Sequence, residues 1–298
     1  MHGFVSALLE GFNCFRHELS RKGCARVDWE MLGWVVIGAA VILGVPAAMY
    51  LAQDSLLFFP QALTGPPPAS RANRPVETLE FNTEEGVRLR GWLVKATAAR
   101  APLVVYYGGN AEEVSWQARE PGWPTDWTLA LVNYRGYGSS EGTPSERALF
   151  ADALQILDAL ARRPDVDASR VVLVGRSLGS GVATFVATER AVAGVILVSP
   201  YDSMTDLARR HYPWLPVRLL LKHPFDSYSR APRVQAPLLA IVAGHDAIIP
   251  AEHSKRLFEA WSGPKRWIRI DRADHNDIGA FADFWQAIGR FLQELKGP

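Results

Sequence analysis

Three patterns of apolar and polar residues succeed one another along this 298-residue chain. Over residues 1–30, Phe4, Leu8, Phe12, Phe15 and Leu19 recur at roughly helical spacing among basic positions. That spacing fits either a helix lying on a membrane surface or a loosely ordered tail. Met31 to Ala52 is different: it carries no charge, and Glu30 and Asp54 bound it. A helix of about 22 residues at ~1.5 Å each is ~33 Å long, enough for a hydrocarbon core of ~30 Å. Pro46 falls inside the run, where a membrane helix tolerates it, and Trp34 and Tyr50 stand near its ends. The run is longer than the ~7–15 apolar residues of a cleaved signal, and a transmembrane anchor over 31–52 is expected. Arg16, Arg21, Lys22 and Arg26 precede it, and the next basic residue is Arg71. The excess of positive charge predicts a cytoplasmic 1–30 and an extracytoplasmic main domain, periplasmic in a bacterium.

Residues 53–75 hold Pro60, Pro66, Pro67, Pro68 and Pro75 and read as a stiff connector. The third pattern fills 76–298. Val76–Phe81 and Val87–Val94 alternate around Glu84-Glu85-Gly86, which predicts an antiparallel hairpin. Apolar strands then follow at 103–107, 128–132, 171–174, 195–198, 238–242 and 267–270. Helical segments separate them, the clearest spanning Ser145 to Arg162 with Ala148, Leu149, Ala153, Leu154, Leu157 and Leu160 on one stripe. Strands in alternation with helices predict an α/β fold with a mostly parallel sheet covered on both faces.

Composition changes this picture little. Hydrophobic residues make up 48% of the chain, enough for a full core. A formal net charge of +1 gives no electrostatic reason to expect a nucleic-acid partner. The cysteines, Cys14 and Cys24, both precede the anchor, so the main domain has neither a disulfide nor a thiolate metal site. No cofactor is called for. The segment Gly136-Tyr-Gly-Ser-Ser-Glu141 imitates a dinucleotide fingerprint, but Glu141 replaces the third glycine and the loop is the second βα loop rather than the first.

The chemistry centres on Val171 to Gly181. Four branched apolar residues lead into Gly175-Arg-Ser-Leu-Gly179, and Val182 to Ala187 can continue as a buried helix. Strand, Gly-x-Ser-x-Gly and helix in that order define a nucleophile elbow, with Ser177 held on a strained turn.

Taken together, these features resemble the α/β-hydrolase fold family over about residues 50 to 295. They are most similar to its small, N-terminally anchored branch of bud-emergence-protein-like hydrolases, related to depalmitoylases and serine aminopeptidase-like enzymes. The resemblance rests on Gln53-Asp-Ser-Leu-Leu-Phe-Phe-Pro60, Tyr107-Gly-Gly-Asn-Ala-Glu112 and Asn133 to Gly142. The elbow, Gly244-His-Asp-Ala-Ile-Ile-Pro250 and Ala273-Asp-His-Asn276 complete it.

Such hydrolases present serine, acid and histidine in chain order. Asp246 follows an apolar strand and His275 precedes the final helix, expected over Ile278–Leu295, so Ser177, Asp246 and His275 form the expected catalytic set. Asp202 is a rival acid that reads better as the N-cap of a helix over 204–210. His211, His223, His245 and His253 lack a suitable placement. Leu178 and Asn110 are the expected amide donors to an oxyanion, although Gly108 stands where the family commonly has histidine. The implied reaction is cleavage of carboxylic esters or thioesters of a small-molecule or lipid-like acyl substrate. Amide hydrolysis and a non-catalytic tethered binding domain are the alternatives. The segment Tyr201–Gln235 is the candidate lid, and Trp214, Leu215, Leu219, Leu220, Leu221 and Phe225 either line an acyl pocket or pack its short helices.

Overall fold

The computed structural model describes residues 29–65, 68–70 and 73–296. The segment 1–28, with both cysteines and the four arginines and lysines of the charge asymmetry, lies outside the described residues, as do Pro66, Pro67 and Arg71. The chain divides between Leu51 and Ala52 into two compact units. The uncharged run is helical, as α1 (Trp29–Leu57), and continues past the expected end at Ala52. It is the one helix among the described residues long and apolar enough to cross a membrane, with a mean hydropathy of 2.3, and no side chain in its most apolar stretch is buried.

The main domain is built on an eight-stranded sheet. β1 (Val76–Asn82) and β2 (Arg88–Val94) form the expected hairpin, with Val76 opposite Val94 and Asn82 opposite Arg88. β3 (Ala101–Tyr107), β4 (Thr128–Val132) and α2 (Glu146–Ala161) follow. The helix starts where the sequence predicts, because the Ser145 hydroxyl caps it by accepting from the Ala148 amide. Next come β5 (Val166–Arg176), α3 (Leu178–Glu189), β6 (Gly194–Val198) and three short helices, α4 (Met204–His211), α5 (Val217–Leu220) and α6 (Ser227–Arg230). β7 (Leu238–Ala243), α7 (Ala251–Ala260), β8 (Lys265–Ile270) and α8 (Ala282–Lys296) end the chain. The last helix begins later than expected, after a separate turn of 3-10 helix at Ile278–Ala280.

The uniformly apolar strands are central and buried on both faces, and alternate residues serve two cores. Leu173 and Leu197 pack with Leu149, Leu157 and Val182 from α2 and α3. Val172, Val174 and Ile196 pack with Ile288 and Phe291 from α8 on the other side. Strand β8, at the edge, carries Lys265, Arg266 and Arg269, charges that discourage pairing with a further strand.

Strand order is β1-β2-β4-β3-β5-β6-β7-β8, with every pair from β4 to β8 parallel. The chain leaves β3 toward β4 on one side and leaves β5 toward β6 on the other. The carboxyl ends of β3 and β5 therefore flank a topological switch point, where the outgoing loops diverge and leave a crevice.

Candidate active site

Ser177 follows β5 directly and stands at φ 51° and ψ −118°, a conformation that L-residues avoid. Its amide donates to the Val198 carbonyl at 2.9 Å, which anchors the turn to β6. The flanking glycines are required by contact. A Cβ on Gly175 would lie 2.4 Å from the Gly179 carbonyl oxygen, and one on Gly179 would lie 2.1 Å from that of Tyr107. Strand and helix thus approach more closely than side chains permit, and the hydroxyl is held at the crevice.

The crevice gathers all three residues of the expected set. His275 Nε2 lies 3.0 Å from Ser177 Oγ, and His275 Nδ1 lies 2.8 Å from Asp246 Oδ2. Asp246 Oδ1 accepts from the amides of Ile248 and Ile249 at 3.0 and 2.7 Å. Its side chain is almost wholly buried. Burial alone pushes the carboxyl up, but donation from His275 and the Ile249 amide outweighs it and holds the group below the ordinary carboxylate range. An ionised acceptor on Nδ1 fixes the imidazole proton there and leaves Nε2 free to take the serine proton. Among the described residues no three His, Cys, Asp or Glu side chains are gathered to hold a metal ion.

The loop after β3 is the second wall of the crevice. A Cβ on Gly109 would lie 3.7 Å from the Ser177 Cβ, so this backbone passes directly over that serine. The Asn110 carbonyl accepts from the Tyr137 hydroxyl at 2.6 Å and from the Phe59 amide at 3.1 Å. The Asn110 side-chain amide donates to the Leu57 carbonyl at 3.3 Å, and the Tyr134 hydroxyl donates to that of Gly108 at 3.0 Å. Leu178 opens α3, where an amide has no acceptor within the helix. The pseudo-fingerprint Gly136–Glu141 thus contributes a buried tyrosine that supports this loop.

Sequence reasoning assigned no role to two further residues at the site, Arg176 and Glu112. Glu112 is buried and accepts from the Gly109 amide at 2.7 Å, from the Tyr106 hydroxyl at 2.8 Å and from Arg176 Nη1 at 3.2 Å. Arg176 Nη2 donates to the His275 carbonyl at 3.2 Å and to Asn276 Oδ1 at 3.1 Å. The only sequence signal was position, since Arg176 precedes the nucleophile and Glu112 closes the β3 loop motif.

The rival acid has another task. Asp202 does not cap α4; the Ser203 hydroxyl does, accepting from the Asp206 amide at 3.0 Å. Fully buried, Asp202 lies 2.8 Å from His253 Nδ1 and 2.6 Å from Arg256, which ties β6 to α7. A one-residue shift turned its carboxylate from the helix end into the interior. His223 pairs with Asp54 at 2.8 Å, and His211 lies 3.2 Å from the Ile248 carbonyl.

The apolar residues of the lid segment divide between core and surface. Phe225 is fully buried, edge-on to Phe58 and Phe150, whereas Trp214 and Leu219 are exposed. A cavity of about 630 Å³ opens beside Arg176 instead, lined by Trp116, Gln117, Trp123, Asn276 and Trp285 among others.

A fold of this order, with such an elbow at its switch point, defines a class. The family description "alpha/beta hydrolase fold" matches residues 101–227. An uncharacterized protein of Mycobacterium tuberculosis, Rv2307c, is 37% identical over 266 residues, covering 87% of this chain and 94% of its own length. The alpha/beta hydrolase domain-containing protein WAV2 of Arabidopsis thaliana is 28% identical, covering 74% of this chain and 79% of its own. Among solved structures, the Pyrococcus furiosus esterase Pf2001 superposes with a TM-score of 0.63 at 18% identity, covering 81% of this chain and 98% of the esterase. An acetyl xylan esterase from Paenibacillus sp. R4 gives 0.60 at 19% identity, covering 74% and 83%. The chain belongs to the α/β-hydrolase family.

Proposed function

We propose that this protein is a membrane-anchored serine hydrolase that cleaves carboxylic esters or thioesters through an acyl-enzyme on Ser177. One observation carries the reading: a serine hydroxyl on a strained elbow, 3.0 Å from an imidazole that is itself 2.8 Å from a buried carboxylate. His275 takes the hydroxyl proton as Ser177 Oγ attacks the acyl carbon, then returns it to the leaving group; water repeats the cycle on the acyl-enzyme. Asp246 holds the tautomer and balances the imidazolium formed. Backbone amides of Leu178 and Asn110 donate to the oxyanion. The helix of residues 31–52 anchors the chain and leaves the domain extracytoplasmic: its length and lack of charge support the anchor, and Arg16, Arg21, Lys22 and Arg26 ahead of it support the orientation.

A fluorophosphonate probe tests the chemistry, because it reacts only with an activated serine. The expected result is labelling of the wild-type chain and none of Ser177→Ala, with turnover of an acyl ester lowered by ~10³-fold or more. Equal labelling of the two would remove Ser177 from the mechanism.

A further inference from the structure

Two of the most exposed large apolar side chains of the main domain stand on the lid segment: Leu219 is 85% exposed and Trp214 is 63% exposed. Their neighbours Leu215 and Val217 are buried, so this short stretch is apolar on two faces, one packed and one bare. Arg218 and Lys222 flank the bare face, also exposed. Apolar side chains bordered by long basic ones suit the boundary between acyl chains and headgroups, where stems bury and charged ends reach phosphate.

A second observation indicates what covers this face. Gln53 and Asp54 come immediately after the uncharged run, and both are fastened to the stretch. Gln53 Nε2 donates to the Leu220 carbonyl at 3.0 Å, and Gln53 Oε1 accepts from the Lys222 amide at 2.7 Å. Asp54 pairs with Lys222 Nζ at 3.3 Å and with His223 Nε2 at 2.8 Å. His223 Nδ1 accepts from the Glu146 amide at 3.3 Å, which leaves the ring proton on Nε2 for Asp54 and ties the joint to α2. Gln53 is only ~5 Å along the helix axis from Tyr50, the aromatic residue at the end of the run. The Leu220 carbonyl is therefore hydrogen-bonded to the residue at which the chain leaves the run.

We propose that the surface formed by Trp214, Arg218, Leu219 and Lys222 seats in the headgroup region of a phospholipid bilayer, with Leu219 and Trp214 at the acyl boundary. The inference rests on the reading of 31–52 as a membrane anchor. It adds that a particular face of the domain, on the candidate lid, meets the membrane.

The test uses the full chain with Cys14→Ser and Cys24→Ser, carrying an environment-sensitive fluorophore on Leu219→Cys. The protein is reconstituted into phosphatidylcholine–phosphatidylglycerol nanodiscs, with and without lipids brominated near the upper acyl chain. Brominated lipid is expected to quench the emission severalfold, and a label on Trp214→Cys is expected to respond in the same way. Unquenched emission from both labels in a chain that co-purifies with the nanodiscs overturns the docking and leaves the anchor standing. That outcome also covers a protein partner occupying the face in place of lipid. A chain recovered free of the nanodiscs overturns both readings.

Discussion

Arg176 donates through Nη2 to the backbone carbonyl of His275 at 3.2 Å, so the residue before Ser177 holds the histidine whose imidazole faces that serine. Through Nη1 it also reaches Glu112 Oε2, which accepts from the Gly109 amide as well, while Glu112 Oε1 accepts from the Tyr106 hydroxyl. One guanidinium therefore joins the elbow, the histidine loop and the β3 loop, and its planar fork suits three acceptors better than an ammonium would. Arg176→Met is expected to lower kcat toward an acyl ester by ~10- to 100-fold with little change in KM, the effect of a misplaced catalytic group. Arg176→Lys should recover part of the loss. Steady-state kinetics of the three proteins check this, and a Met variant with wild-type kcat would deny the residue a positioning role.

Tyr137 supports the opposite wall. Its hydroxyl is one of two donors on the Asn110 carbonyl, the other being the Phe59 amide. Tyr137→Phe removes that donor at almost constant volume, at a cost of about 1 kcal/mol of stability. Fluorophosphonate labelling of this variant should slow severalfold while its circular dichroism stays unchanged, since only the oxyanion loop loosens.

Gly179 has no room for a methyl group. Alanine there would press on the carbonyl oxygens of Tyr107 and Gly108, which are backbone atoms and cannot rotate away. Gly179→Ala is expected to cost about 1–3 kcal/mol and to displace the β3 loop from Ser177. Urea midpoints and probe labelling should fall together; a stable variant that fails to label would show that the loop alone had moved.

Acid should destabilise the domain along a predictable limb. Hydrogen bonds from Arg163, helped by Lys95, lower the Asp165 carboxyl from its ordinary 3.8 to about 2. A carboxyl depressed on folding contributes stability that is complete above the unfolded value and is lost as pH falls through the folded one. Asp165 therefore contributes above pH ~4 and loses its contribution between there and pH ~2. Asp246, also depressed, acts in the same direction. Thermal midpoints measured from pH 5 to 2 should fall, and Arg163→Met should flatten the decline.

How much of this was legible beforehand differs residue by residue. The hairpin, the buried strands and the capped helix at Ser145 follow from periodicity and a single hydroxyl, signals carried by neighbouring residues. Gly175, Ser177 and Gly179 were legible because the elbow is a local backbone geometry. Asp246 and His275 were legible because chain order and position after a strand place them at the carboxyl edge of the sheet. Asp202 was misassigned as a cap, since one residue of register separates a helix end from the interior and periodicity does not resolve that difference.

The sequence by itself determined the alternation of strands and helices, the uncharged helix and the three candidate residues that the fold brings together, because each is written in nearby side chains, their spacing or their order along the chain. The tertiary structure alone decided that Glu112 meets Arg176, that Tyr137 meets Asn110, that Gln53 meets the Leu220 carbonyl, and that Leu219 stays bare while Phe225 is buried. Those pairings depend on which strands lie side by side. Sheet order is chosen by the packing of the whole domain, and no short stretch of chain contains it.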